Sequence, residues 1–170
     1  MKLLAEISEG SLGLGGEYEQ LGQQYQLRKS ARAILQNTNG AIATQYLSTY
    51  KYHKLPGGGV GAGESVEMAL KREVKEEVGC DCEITHPVGV VIEYRNKYNL
   101  LHISYCYAAS VVGEIGATQL EEGEIEEGQE TLWLPPAEVL AKMKMDTPGK
   151  FEGHFILKRE MSFLEEFLQN

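Results

Sequence analysis

Leu55-Pro56-Gly57-Gly58-Gly59-Val60-Gly61-Ala62-Gly63-Glu64 is followed nine residues later by Glu73-Val74-Lys75-Glu76-Glu77. Five glycines in seven residues run into a glutamate, and three more glutamates come soon after. The segment after the glycines reads as a helix. Ser65 can cap a helix that begins at Val66, and Gly79 stands where a left-handed C-cap belongs. At about 100° per residue, Val66, Leu70 and Val74 form an apolar stripe facing a core. Glu77 falls inside that stripe, Glu73 beside it and Glu76 one step further round. Arg72 borders Glu76 at i,i+4 and can pair with it. Glu73 and Glu77 are one turn apart, where like charges repel, and partial burial adds to the cost unless something positive neutralises them. An acidic surface face held by Lys71, Arg72 and Lys75 would explain a glutamate-rich helix in general. It does not explain a glutamate inside the apolar stripe, whereas a divalent cation does. Oxygen ligands suit Mg²⁺ or Mn²⁺, and Mg²⁺ is commonly shared between a few carboxylates and substrate phosphates. The glycine loop then has a purpose, because it lets the backbone approach closely and returns Glu64 over the helix start.

Other glycine-loop chemistries fit less well. The lysine of a Walker phosphate loop is absent. Gly57-x-Gly59-x-x-Ala62 loosely matches a dinucleotide-binding fingerprint, but it follows Lys54-Leu55-Pro56 and not the strand of a βαβ unit.

At 170 residues the chain suits one domain with a self-sufficient core. No apolar run approaches the roughly 20 residues of a membrane helix, and the first residues lack the pattern of a secretory signal. Cys80, Cys82 and Cys106 form no CxxC pair and read as free thiols in a reducing cytoplasm. Cys80-x-Cys82 has no third or fourth ligand nearby for a soft metal. A net charge of −9 argues against a sequence-independent grip on nucleic acid. It also requires a local positive centre for any polyanionic substrate.

Residues 1–28 read as one edge strand, Leu3 to Ile7, and a loose segment of the same domain, with the main domain over 29–170. Ala31 to Leu35 and Ala41 to Leu47 flank Asn37-Thr38-Asn39-Gly40 and read as a hairpin. Val88 to Tyr94 and Leu101 to Val112 read as a second hairpin. Residues 113–130 hold seven glutamates and no basic residue, and read as a mobile loop. A short strand covers Thr131 to Leu134. One helix starts at Pro135-Pro136, and a last one runs from about Phe155 to Gln169. Ile156, Phe163, Leu164, Phe167 and Leu168 share a side of that last helix, which packs on its own domain or on a second copy. The order predicts a mixed sheet with helices on its faces.

The central residues resemble the Nudix box. That motif is a glycine, five residues, a glutamate, seven residues, and then Arg-Glu-aliphatic-X-Glu-Glu-X-Gly-aliphatic. Gly58, Glu64, Arg72, Glu73, Val74, Glu76, Glu77 and Gly79 match in register, and Cys80 replaces the final aliphatic residue. Leu55-Pro56-Gly57-Gly58 and Gly63-Glu64-Ser65 are also typical of the family. The resemblance covers roughly residues 30–140. It implies a Nudix fold, an α/β/α sandwich around a mixed sheet, and Mg²⁺- or Mn²⁺-dependent hydrolysis of a nucleoside diphosphate linked to another group. By position, Glu73, Glu76 and Glu77 are implied metal ligands and Arg72 orients them. Glu64 supports the loop and the metal surroundings, and Gly58 supplies a backbone group.

The carboxylate that takes a proton from water is placed differently among such enzymes. MutT-like members draw it from a loop before a late strand carrying tryptophan. Glu127, before Leu132-Trp133, is the first candidate, with Glu124, Glu126 or a box glutamate behind it. Arg28, Lys29 and Arg32 form the basic cluster upstream of the box. Arg32 interrupts an apolar strand and is the stronger candidate for holding phosphates. Tyr46, Tyr50, Tyr52 and His53 precede the box and can stack on a base, although strand tyrosines commonly serve packing. Tyr98 lies near a tyrosine that resembles a marker of dinucleoside polyphosphate hydrolases, and Asn96 stands where ADP-ribose hydrolases show proline. Gly57 and Gly58 complete the substrate-side candidates. A Nudix-fold module that binds a nucleotide without cleaving it is the alternative. Such modules usually lose box glutamates, and Glu64, Glu73, Glu76 and Glu77 are all kept.

Overall fold

β-Branched and aromatic residues build the longest ladder of the sheet, between β5 (Asp81–Arg95) and β6 (Leu100–Val112). A single 3-10 turn at Asn96–Tyr98 joins them. The computed structural model describes residues 1–14 and 24–170. Its other strands are β1 (Leu3–Ser8), β2 (Gln26–Gln36), β3 (Ile42–Leu47), β4 (Tyr52–Lys54) and β7 (Gln129–Leu134). The helices are α1 (Val66–Val78), α2 (Glu122–Glu126), α3 (Pro136–Met145) and α4 (Phe151–Gln169). Seven strands form one mixed sheet in the order β1-β5-β6-β2-β3-β4, with β7 also paired to β3. β1 lies at one edge, parallel to β5. The loose connection expected after it falls largely on residues outside those described.

Side chains alternate across each strand, so one sheet must fill two cores. Ala31, Ala33 and Leu35 of β2 face Ala69, Leu70 and Val74 of α1. Ile34 of the same strand faces Val139 of α3 and Phe155 and Phe163 of α4. The result is the expected α/β/α sandwich.

Two expectations change in detail. The turn at residues 37–40 joins β2 to β3, but the two strands pair only at Gln36 and Ile42. β2 runs parallel to β6 over its whole length instead. Its other edge is taken by the glycine loop: Ala31 N donates to Gly58 O at 3.0 Å, Ala33 N to Pro56 O at 2.9 Å and Val60 N to Lys29 O at 3.0 Å. A hairpin partner cannot use an edge already filled.

The acidic segment is also more ordered than a plain loop. Gly116 N bonds Gly79 O and Gln119 N bonds Glu76 O, which ties it to the end of α1. α2 then forms with a reciprocal cap between Glu121 and Glu124.

α4 begins four residues before the expected start and buries Phe155, Leu157, Arg159, Glu160, Phe163 and Leu164 against its own domain. Leu168, expected on that side, is 44% exposed. Among the described residues no helix is long and apolar enough to cross a membrane. Cys80, Cys82 and Cys106 are free thiols, all buried.

Candidate active site

α1 and the glycine loop meet where the angles around the helix require. Ser65 Oγ accepts from Met68 N at 3.1 Å, and Gly79 closes the helix at φ 80°. Glu77, inside the apolar stripe, is 1% exposed. Its carboxylate accepts from Gly57 N at 2.5 Å, Lys54 Nζ at 3.1 Å and Gln129 Nε2 at 3.3 Å. Burial pushes its pKa up, but Lys54, the Gly57 amide and Arg32 outweigh that and hold it below the usual range. Glu73 is shifted the other way, upward, by burial and by the nearby Glu77 charge, against the pull of Arg72.

Arg72 is the hub of the outer carboxylates. Nε meets Glu64 Oε1 at 3.0 Å, while Nη1 meets Glu73 at 2.8 Å and Glu76 at 2.9 Å. Nη2 donates to Gly59 O at 3.0 Å, so one planar fork binds the loop to the helix. Two glycines are needed for this closeness. Gly57 has φ 130°, and a Cβ there would overlap the Ala31 carbonyl. A Cβ on Gly58 would fall onto the Glu73 carboxylate.

Beside these groups opens a cleft of about 380 Å³, lined by Arg28, Arg32, Lys54, Gly57, Gly58, Gly59, Arg72, Glu73, Glu76, Glu121 and Glu124, while Glu64 and the buried Glu77 stand behind its walls. Among the described residues four basic and four acidic side chains face it, and no apolar or aromatic one does.

The NUDIX domain family profile matches residues 26–153. The chain belongs to the Nudix family. Members are hydrolases acting on pyrophosphate bonds, and this chain is such a hydrolase.

Solved structures agree on the fold. A NUDIX hydrolase from Nitrosomonas europaea superposes with a TM-score of 0.63 at 16% identity, covering 85% of this chain and 90% of that one. The E. coli ORF135 protein gives 0.61 at 19% identity, over 88% and 94%. The MutT protein from Methanosarcina mazei Go1 gives 0.57 at 18% identity, over 89% and 100%. At these identities the likeness is one of fold. The sequence finds no match among curated proteins.

The Nudix box carboxylates are not arranged as a ready-made cage. Among the described residues no three His, Cys, Asp or Glu side chains stand grouped to hold a metal, because Glu77 turns to Gly57 and Lys54 while Glu64, Glu73 and Glu76 turn to Arg72. The donor set nevertheless fits a hard divalent cation. It is all oxygen, and Glu73 and Glu77 repel each other at close range, which a cation would relieve. The Gly58 carbonyl already accepts Ala31 N.

The structure separates the other candidates. Glu127 does not line the cleft, and its carboxylate pairs with Lys150. Glu124 does line it, beside Glu77, and burial pushes its pKa up to about 7, with the Glu77 charge adding to the rise. Arg28 and Arg32 line the cleft and Lys29 does not. Tyr52 is wholly buried beneath α4, with no ring face open to a base. Tyr98 packs edge-on against Phe151 at 5.9 Å, outside the cleft. Tyr46 packs on His53 at 4.8 Å, and Lys150 Nζ sits 4.1 Å over Tyr50.

Reading the sequence missed Lys54, Glu121 and a charged layer inside the core. In that layer Arg159 Nη1 bonds Glu93 at 3.0 Å and Arg159 Nη2 bonds Glu160 at 2.5 Å. Arg95 Nε bonds Glu93 at 2.7 Å, and His102 Nδ1 lies 3.2 Å from the same carboxylate. His102 Nε2 reaches Ser30 Oγ at 3.0 Å, but Ser30 is fully buried, so this Ser-His-Glu chain has no contact with substrate. The available signal was polar residues at alternate positions of strands covered on both faces: Glu93 and Arg95 on β5, His102 and Ser104 on β6.

Proposed function

We propose that the chain hydrolyses the diphosphate linkage of a nucleoside diphosphate derivative in this cleft, with Mg²⁺ or Mn²⁺. A nucleoside triphosphate, as for MutT-like enzymes, or a dinucleoside polyphosphate is the favoured substrate class. The observation that carries this reading is the purely polar cleft, which sets basic side chains for phosphate oxygens against carboxylates for a cation. Glu73, Glu76 and Glu77 would hold the metal, with Glu64 and the Gly58 backbone in support. When bound, such a cation neutralises phosphoryl oxygens and lowers the pKa of a water.

The protein's own groups have separable tasks. Arg72 fixes the directions of Glu64, Glu73 and Glu76. Lys54 neutralises the buried Glu77. Glu124, which lines the cleft from the short helix tied to α1 through the preceding loop, would take the water's proton. Glu127 is engaged by Lys150 instead. Buried free thiols are consistent with work in a reducing cytoplasm.

The test is hydrolysis of a panel with Mg²⁺: nucleoside triphosphates, ADP-ribose, dinucleoside polyphosphates, nucleotide sugars and coenzyme A. Glu77→Gln and the more exposed Glu76→Gln serve as controls. Cleavage of one class, lost in both variants and on chelation, supports the reading. Full activity in Glu76→Gln and Glu77→Gln, or in excess chelator, overturns it.

A further inference from the structure

Glu77 is held from the sheet by two strands. Lys54 Nζ of β4 donates to Oε1 at 3.1 Å, and Gln129 Nε2 of β7 donates to the same oxygen at 3.3 Å. Thr131 Oγ1, also of β7, donates to the Glu77 backbone carbonyl at 3.1 Å. Between β4 and β7 runs β3, where Gln45 pairs with Lys54 on one side and with Thr131 on the other. Directly paired residues point to the same face of a sheet. Gln45 therefore stands amid the side chains that hold Glu77, without itself touching the Glu77 carboxylate.

Gln45 is 0% exposed, and neither its Nε2 nor its Oε1 has a hydrogen-bond partner among the described residues. Gln129 Oε1, a diagonal step away on the β3–β7 ladder, is likewise buried and unpartnered. An unpaired carboxamide in a dry interior is destabilising, whereas an apolar side chain of the same size is not. Packing alone does not account for a glutamine at this place. Internal water does, because it offers two donors and two acceptors and can link Gln45 to Gln129 and to the remaining donors of Lys54.

We propose that Gln45 is a positioning residue for Glu77. Through internal water it steadies Gln129 and Lys54, the two side chains that fix Glu77 Oε1, and so sets the direction from which Glu77 meets a divalent cation. Groups that orient a ligand from behind commonly matter to a metal site almost as much as the ligands themselves. This deepens the function proposed above, from which the role of Glu77 as a metal ligand is taken, and it is tested by metal binding as well as by catalysis.

The experiment is titration of the full chain with Mn²⁺ alone, read by the paramagnetic resonance of the free ion, alongside thermal unfolding. Gln45→Met is close in size but carries no hydrogen-bonding group. It should bind Mn²⁺ about tenfold more weakly or worse than wild type, with its Tm unchanged or raised. A glutamine serving structure alone would give the reverse, a lowered Tm and an unchanged affinity. Gln45→Asn keeps the amide, with room for one more water, and should restore most of the affinity. Gln129→Met should weaken binding too, and the double variant should be little worse than the weaker single one, because both act through the same water. Should Gln45→Met fail to fold, Gln45→Asn and Gln129→Met carry the same cycle. Equal Mn²⁺ affinity in wild type and the Gln45 variants, or effects of Gln45 and Gln129 that simply add, overturns the proposal. A wild type that binds no Mn²⁺ refutes the metal reading of Glu77 and this inference with it. Mn²⁺ binding that depends on Gln45 with no nucleotide cleaved refutes the catalytic reading alone, and hydrolysis and binding both indifferent to Gln45 refute this inference alone.

Discussion

Acidification should weaken the fold through His102, and by a calculable amount. The ring is 3% exposed and is faced by Glu93 and Arg95 of β5, Ser30 of β2 and Arg159 of α4. Glu93 stays ionised, because Arg159, His102 and Arg95 hold it far below the carboxylate range despite burial. It can only accept, so Nδ1 of His102 carries the proton and Nε2 accepts from Ser30. Burial lowers the histidine from 6.5 to about 4, with Arg159 and Arg95 adding to the fall and Glu93 opposing it. A depressed folded pKa means that the unfolded chain takes up the proton first. The contribution is therefore complete above the unfolded value of about 6.5 and is lost as pH falls toward the folded value. At pH 5 the unfolded histidine is almost fully protonated and the folded one almost neutral, a linkage of about 2 kcal/mol. For a chain of this length that lowers the Tm by roughly 4–8 °C. Glu93 works in the same direction but mostly below this window. The assay is thermal or urea unfolding at pH 7 and pH 5 for wild type and His102→Gln, which keeps a neutral polar group. Wild type should lose about 2 kcal/mol more than the variant. Parallel losses in the two proteins would refute a neutral, buried His102.

Three further outcomes are expected. Arg72→Lys keeps a charge but not the fork that reaches Glu64, Glu73, Glu76 and Gly59, so kcat/KM on the cleaved substrate should fall about 10–100-fold with the circular dichroism spectrum unchanged. Glu124→Gln should lower kcat by about 100-fold or more, and Glu127→Gln far less, as single-turnover kinetics would show. Arg159→Met strips the cation from Glu93 and Glu160 together and should cost about 3–5 kcal/mol by urea unfolding.

What was legible in the sequence was local. α1, its Ser65 and Gly79 caps and the burial of Glu77 all follow from spacing within a few turns of one helix. The α/β/α layering followed from the order of periodic segments. The β2 partner was hidden because the competing ladder comes from glycines that look like a loop, and only the fold shows them as a strand edge. Glu127 and Glu124 are three residues apart in the same acidic run. Lys150, which lies just before α4, captures the Glu127 carboxylate, while the α2 turn brings Glu124 to the cleft. The buried ion layer was hidden for a similar reason. Arg159 and Glu160 resemble the polar side of an amphipathic helix until Glu93, 66 residues away, is set opposite them. Charge pairing over such separations has no periodic signature.

Because the glycine loop is hydrogen-bonded along β2, in the middle of the sheet, its amides belong to the core rather than to the surface. Ala31, Ala33 and Val60 donate to or from that seam. They should exchange their hydrogens with solvent only when the sheet itself opens, at a free energy near that of global unfolding. The loop that shapes the cleft is thus among the slowest-moving parts of the molecule.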